Sequence, residues 1–430
     1  MEYFRGLLGI IALLGVAFIF STNRKLVDWR LVGIGVLIQA IFGVLITKVD
    51  FVADLFLALS RGFVKFLSFS QDGAIFLFGD LASNTFGFIF AFQVLPTIIF
   101  FSTVSAALYY LGILQKIVFA IAWLMSRTMR LSGAESLSAA GNIFLGQTEA
   151  PLLVKPFIPT MTRSELMCLM AGGMATIAGG VLAGYVAFLG GDSPEEQSKF
   201  AAYLLGASIM NAPAAIVMSK IIIPQTEKDK LDNQLKVNEE NLGVNLIDAM
   251  SRGASDGLKL ALNVGGMLLA FIAVIAAVNY LLTGIIGEFT GLNALVASST
   301  NGAFQGFSLE YILGQIFRVF AWLIGVEWKD ALQVGSLLGQ KTVINEFVAY
   351  LGLAELKDAG TLSPKSIVIA TYALCGFSNF SSIAIQVGGI GSIAPNQQSE
   401  LSRLGMKALL AASLACMMTA SIAGALYAVG

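Results

Sequence analysis

The sequence predicts an all-α polytopic membrane protein with about eight transmembrane helices, two opposed re-entrant hairpins, interfacial amphipathic helices and an inverted repeat. Three observations carry that expectation. Hydrophobic residues make up 57% of the 430, with a mean hydropathy of +0.80. Charged residues make up only 12%, about half their usual share in soluble domains. Apolar runs of spanning length also recur along the whole chain, and none of the intervening segments reads as a separate soluble domain.

The absences are equally informative. With no histidine, Ser/His/Asp and Cys/His nucleophilic machinery, histidine metal sites and the common proton shuttle are excluded, which argues against an enzyme. Cys168, Cys375 and Cys416 lie in apolar stretches without CxxC spacing and read as small buried hydrophobes. A net charge of −1 supplies no basic field for nucleic acid. The solvent is the lipid bilayer, and function belongs to the polar residues within it.

Residues 6–20 follow Arg5 without a small-x-small cleavage site, so they read as a crossing rather than a secretion signal. Arg24, Lys25 and Arg30 then place the far end of that helix in the cytoplasm and the N-terminus outside; 31–47 return outward. From 51 to about 71, Asp54, Arg61, Lys65 and Asp72 follow one helical face, which predicts an interfacial helix. A third crossing covers 94–114, and Lys116, Arg127 and Arg130 mark a second interfacial helix.

Residues 142–159 are apolar but interrupted by Gly146, Gln147, Thr148, Glu149, Pro151, Lys155 and Pro156, too polar and too short for a lipid-facing span. They read as a re-entrant hairpin entering from the cytoplasm. Uncharged 166–189 holds Gly172, Gly173, Thr176, Gly179, Gly180 and Gly184, a density that predicts local unwinding. An external acidic loop (191–196), a return span (200–219) and a long hydrophilic cytoplasmic run (224–245) follow.

Next, 260–287 crosses outward, and 304–326, with Glu310, Arg318 and Trp322 just ahead of Trp328, suits the outer interface. Residues 331–354 repeat the hairpin anomaly with Gln340, Lys341, Asn345 and Glu346. Residues 366–390 are broken by Gly376, Ser378, Asn379, Ser381 and Ser382, and 408–429 form a clean last span that leaves the C-terminus outside. GSLLGQKT from Gly335 has the wrong lysine spacing and no preceding strand for a phosphate loop.

Hairpin, broken helix and plain helix thus occur twice, at 135–223 and 331–430, in opposite orientations. The segments 1–134 and 224–330 are mainly scaffold, with the latter including the cytoplasmic run. Broken helices are tolerated in a membrane only where they line a cavity or hold a ligand, so the two breaks predict a site near the midplane.

Glu149 and Glu346 are the strongest single signals, since a carboxylate at that depth costs about 3 kcal/mol on insertion scales. Capping a hairpin turn, or pairing with Lys155 or Lys341, is the structural alternative. Asn142, Thr176 and the carbonyls of Leu145 and Ile177 offer neutral hard oxygens suited to sodium; equally, Asn142 caps its helix and Thr176 bonds back to its own. Phe377, Asn379, Ser381 and Ser382 combine an aromatic face with amide and hydroxyl groups, suited to a polar heterocycle or sugar.

GNIFLGQTEAPLLVKPFI from Gly141, GQKTVINEFVAY from Gly339 and YALCGFSNFSSIAIQ from Tyr372 resemble the concentrative nucleoside transporter family, and the likeness extends over nearly the whole chain. The resemblance implies a sodium-coupled nucleoside symporter of the bacterial inner membrane. It implies a homotrimer of scaffold and transport domains that imports nucleosides such as uridine by an elevator-type alternating-access mechanism. It further implies that Gly146, Gln147, Thr148 and Glu149 hold the base beside Val181, that Glu346, Asn379 and Ser382 meet the ribose, and that Phe377 lines the pocket. Sodium, the coupling ion, falls to Asn142, Thr176 and the backbone carbonyls of Leu145 and Ile177. Family members often have serine at the position of Thr176 and valine at that of Leu145. Proton coupling through Glu149 or Glu346 is the competing expectation, against which the retained Asn142 argues; an intramembrane hydrolase is a remote one.

Overall fold

The computed structural model describes residues 2–232, 234–235 and 243–427, and no strand occurs among them. The first helices are α1 (Glu2–Ile19), α2 (Trp29–Lys48), α3 (Asp50–Ser68), α4 (Ser70–Phe78), α5 (Phe90–Gln93), α6 (Leu95–Tyr110) and α7 (Ile113–Met129). The first hairpin runs through α8 (Gly133–Gly141) and α9 (Ala150–Leu153), followed by α10 (Arg163–Ala175), α11 (Gly179–Gly190) and α12 (Pro194–Ile222). After α13 (Leu246–Asn279), the short α14 (Glu288–Thr290) and α15 (Leu292–Ser299) and the interfacial α16 (Leu309–Leu323), the second hairpin is α17 (Ala331–Val343) and α18 (Glu346–Asp358). The chain ends with α19 (Pro364–Leu374), α20 (Phe380–Ile393) and α21 (Gln398–Tyr427).

Among the described residues, six stretches are long and apolar enough to cross a bilayer, and the shorter apolar helices Arg5–Ile19 and Phe380–Ile393 complete the expected set. Burial sorts them into two layers. The spans through α10–α11, α12 and α21 are 94%, 78% and 83% buried, against 22% for α2, 11% for α5–α6 and 17% for α13. The long helices α10–α12 and α21 of the two repeats therefore form the centre, and α2, α6 and α13 lie outside them with apolar faces that suit lipid.

The sequence placed the first hairpin at 142–159, but its first limb begins at Gly133, so Asn142 ends that limb instead of starting it. A capping box sets the start: Ser132 accepts from the Glu135 amide, and Glu135 accepts from the Ser132 amide. Small residues fill this limb, and every one of them is buried. Hydropathy misses such a helix because serine and glycine score as polar while packing as small groups. Similarly, α13 starts at Leu246, capped by Asn245, well before the expected 260. Of the hydrophilic run at 224–245, residues 233 and 236–242 lie outside the described residues, as does the end of the last span beyond 427.

A second capping box, Thr162 with Glu165, starts α10 alongside the first. Ser132 Oγ donates to Glu165 at 2.7 Å, and Lys220 from α12 pairs with Glu135 and reaches Ser164 Oγ at 2.9 Å. The base of the hairpin is thus tied to two long helices by one buried polar network.

Both helix breaks appear where glycine and hydroxyl residues predicted them, at 176–178 and 375–379. Thr176 is extended (φ −108°, ψ 171°), and Gly376 has φ +147°, where a β-carbon would sit 2.6 Å from the Ala175 carbonyl oxygen. The breaks face each other: the Phe377 amide donates to the Thr176 carbonyl at 3.4 Å. Asn211 from α12 donates to the carbonyls of Ala175 and Cys375 at 2.8 and 2.7 Å.

Lys220→Met strands a buried carboxylate and is expected to lower stability by about 3–5 kcal/mol. Thermal unfolding in detergent checks this, and adding Glu135→Gln should recover part of the loss.

Candidate functional site

The unwound tip of the first hairpin, the start of α11, the N-termini of α18 and α20, and one side of α13 enclose a cavity of about 120 Å³. Gly146, Gln147, Thr148, Glu149, Val181, Glu346, Phe377, Asn379 and Ser382 all line it. Residues more than two hundred apart in sequence therefore meet because the two repeats oppose each other.

Glu346 is the first residue of α18, where the helix dipole favours a carboxylate. It is 3% exposed, and both its oxygens are engaged, Oε1 by the Tyr185 hydroxyl at 3.0 Å and Oε2 by Asn379 Nδ2 at 2.8 Å. Lys341 instead donates to the Ala373 carbonyl at 2.9 Å. Asn379 also caps α20, its Oδ1 accepting from the Ser382 amide at 2.9 Å and the Ser381 hydroxyl at 2.7 Å. Glu149 accepts from the Gly146 amide at 3.1 Å, closing the hairpin turn on itself. Gln147 Nε2 donates to Ser382 Oγ at 3.0 Å, which joins the hairpin tip to the second repeat.

Behind the tip lie the residues read as ion ligands. Asn142 is 1% exposed, and neither polar atom of its side chain has a hydrogen-bond partner. A β-carbon on Gly172 would stand 3.2 Å from Asn142 Nδ2, so the glycine makes room for that amide. Nearby tip carbonyls are already used: Ser208 donates to Ile143 and the Gly179 amide to Phe144. The Thr176 hydroxyl donates to the Gly172 carbonyl at 2.9 Å, the back-bonding weighed from sequence, which leaves its oxygen lone pairs available. Leu145 and Ile177 flank this region and are buried. An unpartnered amide among neutral oxygens suits a weakly held monovalent cation.

Sequence reasoning missed several residues that shape the site. Tyr185 lies four residues after Val181 on the same helical face, and its ring stacks on Tyr350 with centroids 4.4 Å apart. Gln386 likewise lies four residues after Ser382. The α13 wall, with Leu260, Val264, Met267 and Leu268, carried no polar signal at all.

Family models match most of the chain: "Na+ dependent nucleoside transporter N-terminus" over 8–81, "Nucleoside recognition" over 91–192 and "Na+ dependent nucleoside transporter C-terminus" over 203–424. The uncharacterized transporter YutK of Bacillus subtilis is 44% identical, over 99% of this chain and 99% of its own. The chain belongs to the concentrative nucleoside transporter family. A solved structure of CNTnw in an inward-facing, substrate-bound state matches this transporter with a TM-score of 0.91 at 40% identity, covering 100% of this chain and 99% of that one. A doubly substituted CNTnw in an outward-facing state matches at 0.89 and 39% identity, covering 100% and 98%. As a concentrative nucleoside transporter it is a membrane transporter and not an enzyme, and sodium is the coupling ion of the family.

Tyr185→Phe keeps the aromatic stack but removes one donor from Glu346. It is expected to raise the nucleoside concentration for half-maximal uptake about tenfold, as measured by initial rates in proteoliposomes.

Proposed function

We propose that this protein is a sodium-coupled symporter that imports nucleosides, uridine among them, across the plasma membrane by an elevator-type alternating-access mechanism. The observation that carries the reading is the buried, partnerless side chain of Asn142 on the same hairpin tip that presents Gln147, Thr148 and Glu149 to the cavity. One short segment serves both ion and substrate, which is what coupling requires.

Sodium is assigned to Asn142 Oδ1, the Thr176 hydroxyl and the backbone carbonyls of Leu145 and Ile177. An amide left unpaired at this depth costs about 1–3 kcal/mol, which an ion would offset while ordering the tip. The base is assigned to Gly146, Gln147, Thr148 and Glu149, with Val181 packing against it. The ribose hydroxyls are assigned to Glu346, Asn379 and Ser382, with Phe377 lining the pocket. A carboxylate accepting from a hydroxyl makes a charge-assisted bond, and an analogue lacking that hydroxyl leaves the buried acceptor short. Because ion and nucleoside order the same tip, each raises the affinity for the other by the same factor.

The buried helices of 135–223 and 331–430 are assigned to a transport domain that moves as a body. The lipid-facing shell, 1–134 and 224–330, is assigned to a scaffold through which three copies form a homotrimer, with both termini outside the cytoplasm. Proton coupling through Glu149 or Glu346 is the competing reading; it leaves the partnerless Asn142 amide without a role.

Radiolabelled uridine uptake into proteoliposomes, with an inward sodium or an inward proton gradient at matched ionic strength, separates the two. Accumulation driven by sodium alone is expected; accumulation driven by protons alone would overturn the ion assignment. Glu346→Gln is expected to abolish uptake while trimer assembly, measured by native mass, is preserved. Asn142→Ala is expected to raise the sodium concentration for half-maximal uptake about tenfold or more, measured at saturating uridine.

A further inference from the structure

We propose that Gln386 determines base specificity by setting the hydrogen-bonding polarity that Gln147 presents to the nucleobase. This rests on the assignment of Gln147 to the base and deepens it.

A carboxamide is ambiguous, since rotation by half a turn exchanges its acceptor for its donor. Here the ambiguity is removed by a relay that begins at a group with only one polarity. The Met170 carbonyl on α10 only accepts, and Gln386 Nε2 points at it from α20 at 3.2 Å. The other proton of the same NH2 goes to Gln147 Oε1 at 3.1 Å. Gln147 must therefore turn its own NH2 the other way, toward Ser382 Oγ at 3.0 Å and the cavity. Ser382 cannot decide the matter, because its hydroxyl rotates and serves as donor or acceptor. Gln386 Oε1 is buried and has no partner, so no competing donor turns this amide around.

The space for the relay is also specific. Gln386 is 1% exposed in the middle of a helix whose other polar side chains are serines near its two ends, and a buried amide at that depth needs a reason to persist. A β-carbon on Gly173 would lie 2.6 Å from Gln386 Nε2 and 3.1 Å from the Gln147 β-carbon. A glycine at this point of α10 is what admits both amides.

One NH2 proton of Gln147 is occupied by Ser382, and the other is available to a ligand. Gln147 thus offers the base a donor of fixed polarity, while the Glu149 carboxylate beside it offers an acceptor. A base edge carrying a carbonyl oxygen or an unprotonated ring nitrogen gains a bond at Gln147, and an edge carrying an amino group meets another donor. The class favoured is nucleosides with an acceptor at that edge.

The test is inhibition of labelled uridine uptake in proteoliposomes by uridine, cytidine, inosine and adenosine, which share a sugar and differ at the base. In the wild-type protein their inhibition constants should spread by about tenfold or more. Gln386→Leu frees Gln147 to rotate, and the spread should contract to about threefold while the sodium concentration for half-maximal uptake stays the same. Gln386→Met, which keeps the length of the side chain and removes only the amide, should give the same contraction and keeps the test open where leucine is not tolerated at 386. A uniform loss of uptake with the spread unchanged would mean that Gln386 only fills space, and would overturn the proposal. Absence of inhibition by any nucleoside in the wild-type protein would overturn the functional reading, and the relay with it.

Discussion

Asn211 donates from one amide nitrogen to the carbonyls of Ala175, the last residue of α10, and Cys375, the residue that caps α19, at the two helix breaks. A helix interrupted inside a bilayer strands backbone groups that water cannot reach, each costing several kcal/mol if left alone. Bringing the two interruptions together lets one buried side chain serve both, and the Phe377 amide closes on the Thr176 carbonyl beside it. The opposed repeats, the density of glycine and the position of the cavity all follow from that need.

The same economy recurs at the cavity wall. Asn379 caps α20 with its oxygen and holds Glu346 with its nitrogen. Glu149 closes the hairpin turn through the Gly146 amide. Ser382 sits in the first turn of α20 and receives Gln147. Groups that face the cavity are thus the ones that terminate helices and turns, so their orientation is set before a ligand arrives. Asn142 differs: both polar atoms of its side chain lack a partner, whereas Asn211 and Gln386, each with an unpaired oxygen, still bond through their nitrogens.

Much of this was readable from residues alone. Glutamates at 149 and 346 within apolar segments, the glycine-rich breaks and the order of elements in two halves are local signals, because each violates the apolar pattern of its own segment. The base of the first hairpin was misplaced because its small serines and glycines look polar to a hydropathy reading, although the capping box Ser132-x-x-Glu135 was visible. Tyr185 and Gln386 could have been found by carrying the four-residue helical spacing forward from Val181 and Ser382. The α13 wall could not, since its leucines and valines resemble any lipid-facing surface.

That the chain lives in a membrane, where its helices are interrupted, and which residues are too polar for their surroundings can be read off the order of its amino acids. Composition and spacing suffice there, because lipid imposes one rule on every segment independently. Tertiary structure alone decided the pairings: Tyr185 with Glu346, Gln386 with Gln147, Asn211 across both breaks. Those contacts join residues from different repeats, and hydrogen-bond polarity depends on which acceptor lies nearest in space, something no spacing along a single helix encodes.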